Sequence, residues 1–146
     1  MGAGFDKHAA AYDGGLDNPI KRMMGDSADQ FIAVKARWLL RREPGLRTGG
    51  LAMLDYGCGE ATSADHLAEA CGHFTLVEAA PNVRAMLSAR HAGNGKISVL
   101  TPDEAAALPP GSLDLIVLHS GAQELSGSEL GGRLAAFGKL RQPDGV

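Results

Sequence analysis

Residues 51–62 read LAMLDYGCGEAT, and the predicted fold rests on this stretch. Leu51–Leu54 is an apolar run with the length of a short buried strand, and Gly57 and Gly59 follow it closely. Glycine removes the side chain where a chain must turn sharply, and helical spacing resumes over 61–70. A helix that begins at such a turn directs free N–H groups at whatever lies above the glycines. We therefore expect a small polar ligand at this turn.

The composition is that of a single globular domain. The chain has 146 residues, 45% of them hydrophobic, and its 14 basic and 17 acidic side chains give a formal net charge of -3. This balance favours neither nucleic acid nor a membrane surface as a partner. Cys58 and Cys71 lack the CxxC spacing of a metal or redox site, so we expect no metal and a reducing, cytoplasmic setting. No apolar run approaches the roughly 20 residues of a membrane span.

Short apolar runs alternate with helical patterns along the chain. The predicted strands are Leu51–Leu54, His73–Glu78, Lys96–Leu100 and Leu113–Leu118. The segments between and after them, predicted as helices or short helical turns, are 61–70, Val83–His91, Thr101–Leu108 and Glu129–Leu140. This alternation predicts right-handed crossovers and a doubly wound parallel sheet that binds ligands at the carboxyl ends of its strands. Asp55 and Glu78 fall at those ends.

The first 45 residues predict helices outside the sheet. A helix can start at Asn18-Pro19, and Ser27–Gln30 has the form of a capping box that begins a second helix. An apolar stripe on the second helix contains Phe31, Val34 and Trp38. Because Trp38 lies on this stripe, we expect it in the core and not in a site.

The spacing of the glycines separates two classes of ligand. The dinucleotide fingerprint needs a third glycine in the pattern GxGxxG, and here that position is Thr62. Asp55, just before the turn, would repel a pyrophosphate but suits a ligand with a cationic group and one nucleoside. S-adenosylmethionine is such a ligand, and an NAD-dependent oxidoreductase is the less favoured alternative.

Around this turn the sequence resembles the class I S-adenosylmethionine-dependent methyltransferases, and the resemblance covers nearly the whole chain. Leu54–Gly59 is similar to the family's first motif, whose glycines approach the methionine portion of the cofactor. The acid of that motif, here Asp55, helps to orient the cofactor, and Cys58 lies between the glycines. Ala61 replaces a frequent third glycine. The resemblance implies a Rossmann-like sheet with four strands in the order 3-2-1-4 and helices on both faces.

Two further stretches carry the resemblance at the adenosine end of the cofactor. Glu78, followed by Ala79, stands where the family has an acid that holds both ribose hydroxyls, and a carboxylate offers two acceptor oxygens for them. After the third strand an acid meets the adenine amino group, and the next residue packs on the ring. Glu104 fits this acid best, with Asp103 as the alternative and Ala105 as the residue on the ring.

The two ends of the site come from loops. Phe5–Asp13 is similar to the opening of many small-molecule methyltransferases, where it forms part of a lid, so Tyr12 would close the site. His119 follows a stretch that resembles the fourth strand, whose loop faces the methyl group, and it is the one candidate we name for a general base. The cofactor-binding residues implied by the resemblance are Tyr12, Asp55, Gly57, Cys58, Gly59, Glu78, Ala79, Asp103, Glu104, Ala105 and His119.

The implied reaction is methyl transfer from S-adenosylmethionine to a small-molecule acceptor. We divide the chain into a helical lid segment, 1–45, and a cofactor-binding core, 46–146. Family members continue past Glu129–Leu140 into three further strands, so we expect this chain to be truncated before the fifth strand. Leu113–Leu118 would then be an exposed edge that favours a homodimer. A cofactor-binding or interaction module without turnover is the alternative function.

Overall fold

The computed structural model describes residues 27–118 and 126–140. Within these ranges, strands and helices alternate as the sequence predicts. The strands are β1 (Ala52–Tyr56), β2 (His73–Val77), β3 (Ile97–Leu100) and β4 (Leu115–Leu118). The α-helices are α1 (Ser27–Arg42), α2 (Thr62–Leu67), α3 (Pro81–Arg90), α4 (Pro102–Ala106) and α5 (Gly127–Leu140). Short 3-10 helices follow α1 at Pro44–Thr48 and α2 at Ala68–Ala70.

The four strands form one parallel sheet in the order β3-β2-β1-β4. Met53 of β1 lies opposite Phe74 of β2 and Leu115 of β4, and Val77 of β2 lies opposite Leu100 of β3. The predicted strand order and Rossmann-like fold are therefore confirmed. Since all pairings are parallel, the carboxyl ends of the strands lie side by side along one side of the sheet, across the strand ends. We call this side the carboxyl edge.

Successive side chains of β1 enter two separate hydrophobic cores. Met53 packs among residues of α1, α2 and α3 on one face of the sheet, whereas Leu54 packs with Phe137 and Leu140 of α5 on the other. Neither Met53 nor Leu54 has exposed surface. A strand that is covered on both faces reads as a continuous apolar run, which explains the pattern that predicted β1.

The ends of β1 differ from the prediction. The run Leu51–Leu54 was expected to stop before Asp55, but the strand spans Ala52–Tyr56 and includes this acid. Asp55 lies in register with Leu76 and Val117 and is itself buried. A buried carboxylate is tolerated in a strand when it is hydrogen-bonded, and Asp55 accepts such a bond from the side chain of Ser63.

The boundaries of two helices also differ from the sequence pattern. The segment 61–70 was expected to be one helix, but α2 ends at Leu67 and continues only as a 3-10 helix. Helix α3 begins at Pro81, two residues before the predicted start, because proline is well suited to the first helical position. Helix α4 begins with a capping box in which the Thr101 hydroxyl accepts from the Glu104 N–H at 3.1 Å.

The prediction that Trp38 lies in the core is wrong. Trp38 is 62% exposed and Val34 is 54% exposed, whereas Ala36 is 4% exposed and packs in the core, with Leu40 half-buried against it. Apolar residues occupy two faces of α1, and the face with the small Ala36 is the one turned to the core. The periodicity alone does not distinguish these two faces.

Several predicted features lie outside the described residues. They are the lid motif Phe5–Asp13, the helix from Pro19, and His119. In the ranges 27–118 and 126–140, none of the helices has the length and apolar character that a membrane crossing needs.

Candidate functional site

The glycine turn, residues 57–61, connects β1 to α2 at the carboxyl edge. Gly57 and Gly59 have φ values of 69° and 55°, and Ala61 has a φ of 52°. These angles lie in the left-handed region, which glycine adopts freely and which costs a residue with a Cβ roughly 1–2 kcal/mol. The two glycines therefore permit the turn, and Ala61 is a strained position beside them.

The space next to Gly59 is open. A Cβ atom built on Gly59 would meet nothing within 4 Å. The backbone of the glycine turn is therefore open to approach at this position, and the predicted ligand there stays a prediction.

Hydrogen bonds from three directions hold the glycine turn. The N–H groups of Gly57 and Cys58 both donate to the Val77 carbonyl at the end of β2, at 2.8 and 3.1 Å. The Arg90 side chain of α3 donates to the carbonyl of Glu60. The Ala61 N–H donates to the Cys58 carbonyl at 2.9 Å, which closes the turn. This network fixes the turn on the neighbouring strand.

Glu78 follows β2 and joins the glycine turn to the start of α3. Its side chain is 5% exposed, and its Oε2 accepts from the Gly59 N–H at 3.0 Å. The Oε1 accepts from the Ala80 N–H at 2.9 Å. Each carboxylate oxygen has a further lone pair, so both can accept another hydrogen bond. The structure thus brings together Gly59 and Glu78, which the sequence placed in one site.

Asp55 lies beneath the glycine turn. It is 1% exposed, and its Oδ2 accepts from the Ser63 hydroxyl at 2.6 Å. The bond links β1 to the first turn of α2 and so sets the direction in which the helix leaves the turn. Ser63 was not predicted as a site residue, and the only signal for it in the sequence is a hydroxyl residue at the start of the helix that follows the motif.

Cys58, between the two glycines, is a half-buried free thiol. Burial raises the pKa of this thiol strongly, and the carboxylates of Asp55 and Glu78 raise it further. The thiol therefore stays protonated at neutral pH. Since the thiolate is the nucleophilic form of cysteine, Cys58 is unreactive in this setting.

The third predicted part of the site lies on α4, next to Glu78 along the carboxyl edge. The Glu78 N–H donates to the Leu100 carbonyl at 3.2 Å, which places the start of α4 beside the end of β2. Asp103 and Glu104 are exposed, and the Glu104 carboxylate accepts from the Thr101 N–H at 2.8 Å. Ala105 is buried in the core around Leu54.

The remaining predicted residues are distributed as follows. Ala79 is exposed in the turn after β2, directly beside Glu78. Tyr12 and His119 lie outside the described residues. Across residues 27–118 and 126–140, no group of three or more His, Cys, Asp or Glu side chains has an arrangement that could hold a metal ion.

The chain matches a known protein family over most of its length. A family model described as a methyltransferase domain matches residues 54–145, which begin inside β1 and include the glycine turn, Glu78 and α4. The chain belongs to this methyltransferase family. The predicted resemblance to S-adenosylmethionine-dependent methyltransferases is thereby confirmed. No curated protein sequence matches the methyltransferase chain.

Solved methyltransferase structures share the fold of this chain. Phosphoethanolamine N-methyltransferase 1 of Haemonchus contortus is 21% identical with a TM-score of 0.70, over 96% of this chain and 30% of that protein. Magnesium protoporphyrin IX methyltransferase of Synechocystis PCC 6803 is 20% identical with a TM-score of 0.67, over 95% of this chain and 63% of that protein. A methyltransferase of Aquifex aeolicus is 21% identical with a TM-score of 0.62, over 88% of this chain and 65% of that protein. The chain thus spans less than two thirds of the length of each of these three proteins.

Proposed function

We propose that this methyltransferase chain binds S-adenosylmethionine across the glycine turn and transfers its methyl group to a small-molecule acceptor. The observation that carries the proposal is the position of the Glu78 carboxylate, 3.0 Å from the Gly59 N–H. An acid beside a glycine turn at the carboxyl edge suits a nucleoside whose ribose has two adjacent hydroxyl donors.

Two features of the site fit this cofactor. The open space at Gly59 admits a ligand against the backbone, and the Glu78 oxygens keep lone pairs for two further donors. The structures from Haemonchus contortus and Synechocystis PCC 6803 were both determined with S-adenosylhomocysteine bound. That molecule is the product left when S-adenosylmethionine has given up its methyl group, and its presence in relatives supports the same cofactor here.

The other predicted site residues are assigned by this proposal as follows. Asp55 orients the turn through its bond to Ser63, and Glu104 or Asp103 meets the adenine amino group. The proposal also includes six further cofactor-binding residues, namely Tyr12, Gly57, Cys58, Ala79, Ala105 and His119. Residues 1–45 serve as the lid segment and 46–146 as the cofactor-binding core.

When bound, S-adenosylmethionine supplies an electrophilic methyl group on a sulfonium sulfur. The residues of the chain bind and orient the reactants and exclude water, since an in-line transfer needs little further chemistry from the protein. Cys58 carries a thiol within the glycine turn, and its raised pKa keeps this thiol protonated. The acceptor therefore has no competing thiolate in the glycine turn.

Calorimetric titration with S-adenosylmethionine, and separately with NAD, tests the cofactor. We expect binding of the first, weakened by about 1–3 kcal/mol in Glu78→Ala because the ribose hydroxyls lose their acceptor. Glu69→Ala is the matched control, since Glu69 is an exposed acid in the 3-10 helix before β2. Binding of NAD alone, or equal affinity in both variants, contradicts the proposal.

A methyl-transfer assay with tritiated S-adenosylmethionine and a panel of amine, hydroxyl and thiol acceptors tests turnover. The relatives' acceptors include phosphoethanolamine in the Haemonchus contortus structure, which motivates small polar molecules as the first panel. Cofactor binding without transfer to any acceptor favours the alternative, a binding module without turnover.

The proposal includes a homodimer in a cytoplasmic setting. Among the described strands, β4 pairs only with β1, and Ile116, Val117 and Leu118 of β4 are half-buried. An apolar strand at a sheet edge favours pairing with a second copy. Light scattering tests the dimer, and a monodisperse monomer contradicts it.

A further inference from the structure

The Arg84 side chain, in the first turns of α3, binds the backbone of the turn that follows β2. Its Nη1 donates to the Glu78 carbonyl at 2.9 Å and to the Ala79 carbonyl at 2.5 Å. One guanidinium nitrogen thus holds two successive carbonyl groups. Because a guanidinium is planar and always charged, it restricts the orientation of both peptide groups more than water would.

The residue whose backbone Arg84 holds is the one with the carboxylate of the site. Glu78 accepts from the Gly59 N–H with one oxygen and from the Ala80 N–H with the other. Both bonds need the Glu78 side chain to leave the backbone in one direction. A continuous set of contacts therefore runs from Arg84 through the Glu78 backbone to its carboxylate and on to the glycine turn.

We infer that Arg84 is a positioning residue for ligand recognition: it holds the Glu78 backbone so that the carboxylate faces both the glycine turn and the ribose of a nucleoside ligand. The ribose part of this inference rests on the proposed function. Because its hydrogen bonds are to the backbone carbonyls of Glu78 and Ala79, Arg84 acts on the ligand site through Glu78.

Three variants separate positioning from a general effect on the fold. Arg84→Met removes the donors and keeps the aliphatic length, and Arg84→Lys keeps the charge and the ability to donate. Arg47→Met is the matched control, because the Arg47 Nε also donates to a backbone carbonyl, that of Leu40, at 3.0 Å and away from the carboxyl edge. If Arg84→Met does not fold, Arg84→Gln replaces it in both measurements below.

Amide hydrogen exchange in the ligand-free protein is the first measurement. We expect the Gly59 and Ala80 amides to exchange about five- to tenfold faster in Arg84→Met and close to the wild-type rate in Arg84→Lys. The Gly72 amide, which donates to the Leu51 carbonyl at the opposite edge, should not change. Unchanged exchange at Gly59 and Ala80, or an equal increase at all three amides, overturns the inference whether or not a nucleoside binds.

The second measurement compares S-adenosylhomocysteine with its 2′-deoxy analogue by calorimetry. We expect Arg84→Met to bind S-adenosylhomocysteine about tenfold more weakly and to lose much less affinity for the analogue, which lacks one hydroxyl. Arg47→Met should match the wild-type protein. An equal loss of affinity for both ligands overturns the role of Arg84 toward the ribose. If the wild-type protein does not bind S-adenosylhomocysteine, the proposed function is refuted, and the hydrogen-exchange result alone decides on the role of Arg84.

Discussion

The substitution Gly59→Ala tests whether a ligand occupies the space above the glycine turn, because its effect on ligand affinity can be measured apart from its effect on the stability of the turn. Gly59 has a φ of 55°, and a Cβ there would meet nothing within 4 Å, so the substitution causes no clash within the described structure. The left-handed conformation costs alanine about 1–2 kcal/mol. Loss of freedom in the unfolded chain offsets about 0.4–1 kcal/mol of this. We therefore expect a net loss of stability of about 0 to 1.6 kcal/mol, which lowers the Tm by at most several degrees.

Gly111→Ala is the matched control for this substitution. Gly111 has a φ of 70° with nothing within 4 Å of a built Cβ, and its N–H donates to the Lys139 carbonyl away from the carboxyl edge. The two variants should lose similar stability in thermal unfolding. Under the proposed function, only Gly59→Ala places a methyl group in the path of the ligand, and such overpacking costs about 1–3 kcal/mol, or about 5- to 150-fold in the Kd of S-adenosylmethionine. Equal calorimetric affinities in the two variants would refute the claim that the ligand lies against Gly59.

Three further predictions concern packing and protonation. Gly72→Ala should lower the free energy of unfolding by about 1–3 kcal/mol in urea denaturation, because a Cβ at this position would lie 2.9 Å from the Gly49 carbonyl oxygen. An unchanged denaturation midpoint would contradict this close approach. Burial raises the pKa of Cys71 to about 11 and that of Cys58 further, so neither thiol should react with iodoacetamide at pH 8 until the protein unfolds, as mass spectrometry can show. In the folded protein, burial lowers the pKa of His91 from its usual value of 6.5. As the pH falls below about 6.5, the unfolded chain therefore takes up the proton first, and the free energy of unfolding decreases. His91→Asn should reduce this loss between pH 7 and pH 5 in urea unfolding, and identical pH profiles would show that His91 does not contribute.

The positions of the strands follow from the sequence because each β-strand here is an apolar run between turn residues. β1 and β2 were predicted within two residues of their ends, and the acid that follows β2 was predicted as a site residue. The reason is physical: a strand buried on both faces tolerates few polar residues, and a left-handed turn tolerates few residues other than glycine. These constraints act locally, so the sequence shows them directly.

The contacts of the site could be predicted only in part. The sequence placed Glu78 and Gly59 at the same edge, but not the hydrogen bond between them. Ser63 and Arg84 were missed because a serine or an arginine on a helix is most often an exposed residue, and only the neighbouring turns give these two their partners.

The order of the elements, the parallel sheet and the edge at which Gly57, Gly59 and Glu78 meet all follow from the sequence alone. The tertiary structure shows which of two apolar faces α1 buries, with Trp38 exposed and Ala36 packed in the core. It also decided that Asp55 lies beneath the turn, bound to Ser63. Periodicity and turn residues are properties of neighbours in the chain, whereas the choice between two apolar faces depends on the shape of the core that a helix meets.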